Sequence, residues 1–163
     1  MNKHKHILWA LVPALFLSLN LSARGAEKHD HPELADHKMQ KSPEGARSYI
    51  VLPRDGRTVR QKFKVVFGIQ GMGVCPAGIT ASGEPIPDTG HHHLLVNVDK
   101  LPPLNVPLPA DQPEKILHFG KGQTETMLEL PPGKYTLQLV FADYAHVPHV
   151  PPVISEKITV TVE

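Results

Sequence analysis

Segments in which apolar residues alternate with polar ones constrain this chain more than any other feature. Successive side chains of a β-strand point to opposite faces, so alternation at a period of two predicts strands that bury one face. Four segments have this character, at 62–69, 94–98, 135–142 and 158–162, and residues 48–52 and 126–130 add two more predicted strands. Glycine and proline turns at 53–56, 120–122 and 131–134 separate several of them.

Short strands, 17 prolines and the lack of a long helical periodicity predict an all-β fold. We expect an antiparallel immunoglobulin-like β-sandwich of about seven short strands. A small β-barrel is the alternative, because it is built from the same kind of strand.

The first residues predict an export signal. Lys3 and Lys5 give a basic start, residues 7–21 are apolar, and small residues follow around Ala23. The apolar run is shorter than the roughly 20 residues that a membrane helix needs. We therefore expect a cleaved signal peptide over residues 1–23, a periplasmic or secreted bacterial protein, and no membrane partner after cleavage.

The rest of the chain divides into two parts. Residues 24–47 are polar and contain almost no large apolar side chain, which predicts a flexible linker. Loose metal binding by His29, His31, His37 and Met39 is the alternative to a plain polar tail, which is the simpler interpretation. Residues 48–163 are enough for one compact domain with a single core. We expect the β-sandwich over that range.

Charge and cysteine content narrow the function classes. Cleavage of the signal removes Lys3 and Lys5 from the 17 basic residues and none of the 16 acidic ones, so the balance is near neutral. A neutral balance argues against a nucleic-acid partner. Cys75 is the chain's one cysteine, so no internal disulfide can form.

Histidines are dense in the predicted domain. The first of them open the strand before Leu94, where His91 and His93 share one face and His92 points to the other. Neutral imidazole is a ligand that suits copper and zinc. The candidate metal ligands are His91, His93, His118, His146 and His149.

Three further residues form a second tier. His92 shares its face with Leu94 and Val96, which favours a buried, hydrogen-bonded role. Met72 and Cys75 flank a glycine-rich bend, and their sulfur atoms would suit cuprous copper. The simpler interpretation is that the glycines permit a sharp turn and that Cys75 is a small buried apolar group. Asp143, which ends a predicted strand, is placed to orient one imidazole.

Several short motifs resemble those of the bacterial exported family named domain of unknown function 4399. They are GMGV at 71–74, TGHHHLL at 89–95, HFG at 118–120, GQTE at 122–125 and HVPH at 146–149. The resemblance covers most of residues 65–163 and implies export and a compact domain. It implies no activity. Cys75 stands where the family usually has alanine, which weakens a role for its thiol.

These observations predict a periplasmic metal-binding module that acts as a carrier, buffer or delivery partner for copper, with zinc as the alternative ion. A periplasmic protein that gives or takes the metal is the implied partner. A second hypothesis is a non-catalytic interaction or accessory domain whose histidines form a structural hydrogen-bond network. A third is a small copper redox enzyme, but no nucleophile motif or substrate pocket is visible in the sequence, so we expect a binding protein.

Overall fold

The computed structural model describes residues 37–163, and the predicted signal peptide lies outside them. Within this range there are twelve strands and no helix, which confirms the all-β prediction. The strands are β1 (Arg47–Leu52), β2 (Arg57–Val59), β3 (Lys62–Gln70), β4 (Gly73–Val74), β5 (Thr80–Ala81), β6 (Glu84–Pro85), β7 (Thr89–Val96), β8 (Ile116–His118), β9 (Glu125–Glu129), β10 (Gly133–Ala142), β11 (Pro148–Ile154) and β12 (Ile158–Val162). The same part of the chain contains no helical segment with the length and hydropathy that crossing a bilayer requires.

Two sheets form the sandwich. The small sheet has the order β1-β3-β9, and its pairings are antiparallel. The large sheet follows β2-β12-β10-β7-β4, with β11 added beside β10 and β8 added beside β7. Strands β5 and β6 form a separate two-stranded hairpin.

The core lies between the two sheets. The small sheet contributes Phe63, Val65 and Phe67, which alternate along β3 as the sequence predicts. The large sheet contributes residues such as Leu94 and Leu139 from its two central strands. Burial of each such side chain stabilises the fold by roughly 1.5–3 kcal/mol, so this alternation is enough to fix which face of each strand turns inward.

The large sheet is also covered on its other side, which we call the outer face. There Leu95, Val140 and Ala142 pack with Leu108 and Ile116, which belong to the chain that follows β7. The end of β10, residues 139–142, is therefore buried on both faces, although alternation in its sequence predicted a single buried face. The second cover comes from residues distant in sequence, and a local pattern does not reveal it.

About seven strands were expected, and seven of the twelve have five or more residues. The other five are pairings of two or three residues, too short to give an alternating pattern. One longer strand, β11, was missed because Pro148, Pro151 and Pro152 favoured a loop. Strand β11 pairs with the end of β10, and its register breaks between Val153 and Pro148, so these prolines occupy an irregular edge where few ladder donors are needed.

Residues 37–46, which fall in the predicted linker, precede β1. The first of them lie against β11: Val150 N donates to Gln40 O (2.9 Å) and Ser42 N donates to Val150 O (3.1 Å). Lys41 forms a parallel bridge with Val150. We call residues 37–42 the N-terminal strap.

Candidate metal centre

Strand β7 places two imidazoles side by side on the outer face. His91 and His93 are two residues apart, so their side chains point the same way. Antiparallel pairing with β10 sets His91 opposite Ala142 and His93 opposite Val140. Both histidines are buried, at 0% and 2% exposure, and their ring centroids lie 4.7 Å apart.

Strand β8 adds a third imidazole. His118 pairs directly with His93 in the antiparallel ladder, so both side chains emerge on the same face. Their rings stack at a centroid distance of 5.1 Å and an interplanar angle of 28°. Nitrogens from His91, His93 and His118 all lie within 4.8 Å of one another. These three residues can hold a metal ion.

The turn after β10 adds a fourth imidazole. His146 Nε2 lies 3.1 Å from His118 Nε2, and its ring centroid lies 5.0 Å from that of His91. The turn meets the beginning of β7 because β10 ends beside His91. We call His91, His93, His118 and His146 the histidine cluster.

Asp143 shapes the turn that carries His146. Its Oδ1 accepts hydrogen bonds from Ala145 N (2.9 Å) and Val147 N (3.0 Å). Its backbone carbonyl accepts one from His146 N (3.0 Å). These bonds support His146 at φ 68°, a left-handed conformation that histidine adopts more readily than bulky residues do. Asp143 Oδ1 therefore acts on the backbone of the turn that carries His146, which is a different role from the direct orientation of a metal-binding imidazole that the sequence predicts.

Some cluster nitrogens are buried without a hydrogen-bond partner. Both ring nitrogens of His91 and Nδ1 of His93 have no partner among residues 37–163. A buried polar atom left in this way costs roughly 1–3 kcal/mol. A metal ion bound between the rings would satisfy imidazole lone pairs that the protein itself does not satisfy.

Burial also keeps His91, His93 and His118 uncharged. It lowers the pKa of His91 to about 3, with further lowering by the neighbouring His146 and His118. The pKa of His93 is well below its usual value for the same reasons, and burial lowers that of His118. At neutral pH these three imidazoles are neutral, which is the form that binds metals.

His92 faces the sandwich core, away from the cluster. Its ring lies 5.2 Å from that of Phe67 and 4.9 Å from that of Phe141. It is fully buried, as expected, and burial lowers its pKa to about 4. Neither ring nitrogen has a hydrogen-bond partner among the described residues, so the hydrogen-bonded role that we expected is not found.

The structure places His149 beside the cluster rather than in it. Its Nε2 lies 3.1 Å from Thr89 O, and its ring stacks on Phe141 at 6.1 Å. Burial lowers the pKa of His149, against the opposing effect of the Asp143 carboxylate. A donated hydrogen bond from Nε2 to the Thr89 carbonyl accounts for its position without a metal.

The two sulfur residues lie around β4. Met72 and Cys75 are half-buried, and Cys75 is a free cysteine whose backbone N donates to Gly90 O (2.7 Å). The Cys75 thiol does not join His91, His93 and His118 in the group of ligand atoms that lie within 4.8 Å of one another.

Two residues that bear on the site were missed or misplaced by sequence reasoning. Gly120 lies against the His118 ring, where a side-chain carbon would overlap the imidazole. The motif HFG, with a glycine two residues after a histidine, was the available signal. His37, which we had placed in a flexible linker, has its Nε2 2.8 Å from Asp143 Oδ2.

Comparison with known proteins gives one family and one solved structure. A family model described as "Domain of unknown function (DUF4399)" matches residues 65–163, a range that contains the whole histidine cluster. No curated protein matches the sequence. The X-ray structure of the endo-beta-1,4-mannanase from Thermotoga petrophila is similar at 16% identity and a TM-score of 0.37, over 72% of this chain and 20% of that one. This chain thus spans about a fifth of the mannanase chain, and a likeness of that size carries no argument.

Proposed function

The chain belongs to the family named domain of unknown function 4399, and because that name assigns no activity, we propose from the histidine cluster that the protein binds one copper ion. Zinc is the alternative ion. The protein acts as a carrier, buffer or delivery partner for this ion. The basic and apolar start of the sequence supports a role outside the cytoplasm, in the periplasm or secreted.

The observation that carries this proposal is the convergence of three neutral imidazoles from two separate strands. His91 and His93 come from β7, His118 comes from β8, and their ligand atoms lie within 4.8 Å of one another. Ligands about 2.0–2.1 Å from one tetrahedral ion are roughly 3.3 Å apart, so shifts of about an ångström complete the geometry. The 3.1 Å between His118 Nε2 and His146 Nε2 already fits two ligands of one ion.

The donor set favours copper. Among divalent first-row ions, nitrogen ligands bind Cu²⁺ most tightly, and zinc follows it in the same series. No cysteine thiol from residues 37–163 joins the convergent group, so the set of imidazoles is better suited to Cu²⁺ than to Cu⁺.

Exposure of the ligands fits a role in exchange. His91 and His93 form a buried floor, whereas His118 is exposed at the surface. An ion held here is reached through His118, so a partner's ligands replace this imidazole first. A buffer or carrier needs such a route, because it must release the metal ion to a partner.

A structural hydrogen-bond network is the second candidate, and the His118–His146 contact at 3.1 Å favours it. A network of this kind needs partners for its buried nitrogens. His91 contributes two ring nitrogens that have none among the described residues. The geometry of His91 therefore supports a metal site over a bracing network.

Titration calorimetry of the purified protein with Cu²⁺ and Zn²⁺ tests the proposal. We expect one ion per chain with a Kd below about 1 µM. Binding is lost in a His91→Ala/His93→Ala variant and weakened in His118→Ala, whose exposed side chain makes misfolding a minor concern. His149→Gln is the matched control, since its amide keeps a donor for Thr89 O while changing no cluster residue.

Two results would end the proposal. One is the absence of stoichiometric binding of either ion at about 1 µM or tighter. The other is unchanged binding in the double variant while circular dichroism shows an intact fold. The second result assigns the bound ion to residues such as His29 and His31, which lie outside the described range.

A further inference from the structure

We propose that His37 is a positioning residue for the metal site, acting through Asp143 on the turn that presents His146. This inference rests on the proposed function, because it assigns a role in metal binding to a residue outside the four cluster imidazoles. It also gives the N-terminal strap a purpose.

The strap brings His37 to Asp143. It is fixed along β11 by the backbone bonds that join Gln40 and Ser42 to Val150. Ser42 Oγ adds a bond to Pro151 O at 2.8 Å. Since β11 follows directly after the turn that carries His146, docking here places the start of the strap beside Asp143.

His37 is held on both sides of its ring. Its side chain is 7% exposed, and its Nε2 lies 2.8 Å from Asp143 Oδ2, a close polar contact that lacks hydrogen-bond alignment. Its Nδ1 lies 3.4 Å from the hydroxyl of Tyr144. A histidine that collected metal loosely would be exposed, whereas this one is packed against a carboxylate and an aromatic ring.

Asp143 links His37 to the cluster. Its carboxylate is buried, with one oxygen facing His37 and the other accepting two backbone N–H groups of the turn. Buried carboxylates need partners, because an uncompensated charge is costly. Without His37, Oδ2 loses its imidazole partner. Rotation of the carboxylate towards water then lowers its free energy and moves it away from the turn.

His146 is the residue that this rotation affects. It holds φ 68°, a conformation that persists only while the surrounding contacts enforce it. When the two bonds from Ala145 N and Val147 N weaken, the backbone relaxes and the imidazole leaves its position 3.1 Å from His118 Nε2. The other three ligands lie on strands and are unaffected.

The test compares Cu²⁺ affinity and electron paramagnetic resonance spectra of the full chain and its His37→Ala variant. Loss of a supporting partner of a metal ligand typically lowers affinity 10- to 100-fold, and we expect about 10-fold here with one ion still bound. The spectrum changes because one nitrogen ligand is displaced. His37→Gln, which keeps a donor at a similar reach, restores most of the affinity and the original spectrum.

A second background separates positioning from general destabilisation. In a His146→Ala protein, the added His37→Ala change leaves affinity and spectrum as they are, because the residue through which His37 acts is gone. Lys38→Ala is the matched control, since Lys38 is the exposed neighbour of His37 in the strap, and it changes neither quantity.

The outcomes are distinct. If the unsubstituted chain binds no ion, the proposed function fails and this inference fails with it. If that chain binds Cu²⁺ and His37→Ala matches it in affinity and spectrum, the metal site stands and the inference is overturned. Equal losses from His37→Ala in both backgrounds also overturn it, because they indicate a ligand or a general effect on the fold.

Discussion

At the scale of single residues, Gly120 determines where the His118 imidazole can lie. A side-chain carbon at Gly120 would overlap the His118 ring, and the methyl group of Ala77 would lie 3.2 Å from the same carbon. The His118 ring on one side and the Ala77 side chain on the other leave no free space for a methyl group. The His118 ring must move if Gly120 gains a side chain.

Gly120→Ala is therefore expected to lower metal affinity about 10- to 100-fold, the range typical of residues that support a ligand. Competition titration of Cu²⁺ measures this effect. Gly73→Ala is the matched control, because the added carbon meets Thr89 Cγ2 at an ordinary 3.4 Å on a strand that also pairs with β7. Wild-type affinity in Gly120→Ala would show that His118 does not hold the ion.

His92 offers a second test at this scale. Its imidazole is buried between phenylalanine rings and has no hydrogen-bond partner among residues 37–163, which costs roughly 1–3 kcal/mol. His92→Leu has a similar volume and no polar atoms, so we expect the free energy of unfolding at pH 7 to rise by about 1 kcal/mol. Urea denaturation measures the change.

Urea denaturation of a His149→Leu variant is expected to give the opposite result. His149→Leu removes a donor and leaves the buried Thr89 carbonyl unpaired, so its free energy of unfolding falls by about 1 kcal/mol.

Metal affinity of His92→Leu stays at the wild-type value, because residue 92 faces the core. A loss of affinity in that variant would contradict the assignment of faces along β7.

At the scale of elements, β7 shows how much of the site the sequence predicts. The pairing of His91 with His93 on one face and the burial of His92 on the other follow from strand alternation, which is a local property. The place of His118 opposite His93 depends on the register between β7 and β8. Residues distant in sequence set that register, so the sequence predicts His118 as a candidate but not its contact.

The fold shows the same division. Six strands are visible from the apolar segments of the sequence, four of them by alternation, whereas β11 is hidden by its prolines and the two- and three-residue strands are too short for a pattern. The sequence also does not predict that other residues pack on the outer face of the large sheet. This cover comes from the connection between β7 and β8, residues 97–115, which packs Leu108 beside Val140 and Ala142.

The connection at 97–115 has no strand or helix, but its burial of Leu108 predicts that it stabilises the fold. Leu108 is buried on the outer face, and its backbone N donates to His146 O (3.0 Å). Leu108→Ala leaves a cavity and is expected to lower the free energy of unfolding by about 2–3 kcal/mol, as measured by urea denaturation. Val106→Ala is the control in the same connection, since Val106 is 44% exposed, and it changes stability by less than about 0.5 kcal/mol. Equal effects of the two substitutions would show that the connection does not cover the outer face.

At the scale of the whole molecule, buried histidines make the metal-free fold sensitive to acid. Burial lowers the pKa of His91 to about 3 and that of His92 to about 4, below the ordinary 6.5 that they regain on unfolding. Below pH 6.5 the unfolded chain thus binds protons at these histidines, whereas the folded chain keeps them neutral. Their effect on stability is absent above that pH and grows as the pH falls towards the folded pKa values.

We expect the metal-free protein to lose about 1.4 kcal/mol of unfolding free energy per pH unit below 6.5 for each histidine that stays neutral in the fold. Urea denaturation at several values between pH 7.5 and about pH 4.5 measures this slope. His92→Leu removes one such histidine, so its slope is smaller by about 1.4 kcal/mol per pH unit, while carboxylate contributions remain the same in both proteins.

Zinc bound as proposed would oppose this loss, because it would bind the neutral imidazoles that the folded state brings together. With free zinc at about 100 times its Kd, the fold gains roughly 2.7 kcal/mol, and the denaturation midpoint at pH 5.5 moves to higher urea. Zinc avoids the redox reactions that copper brings to such a measurement. The shift disappears in His91→Ala/His93→Ala. An equal shift in that variant would place the zinc elsewhere, and a flat pH dependence without metal would mean that the buried histidines are hydrated and readily protonated.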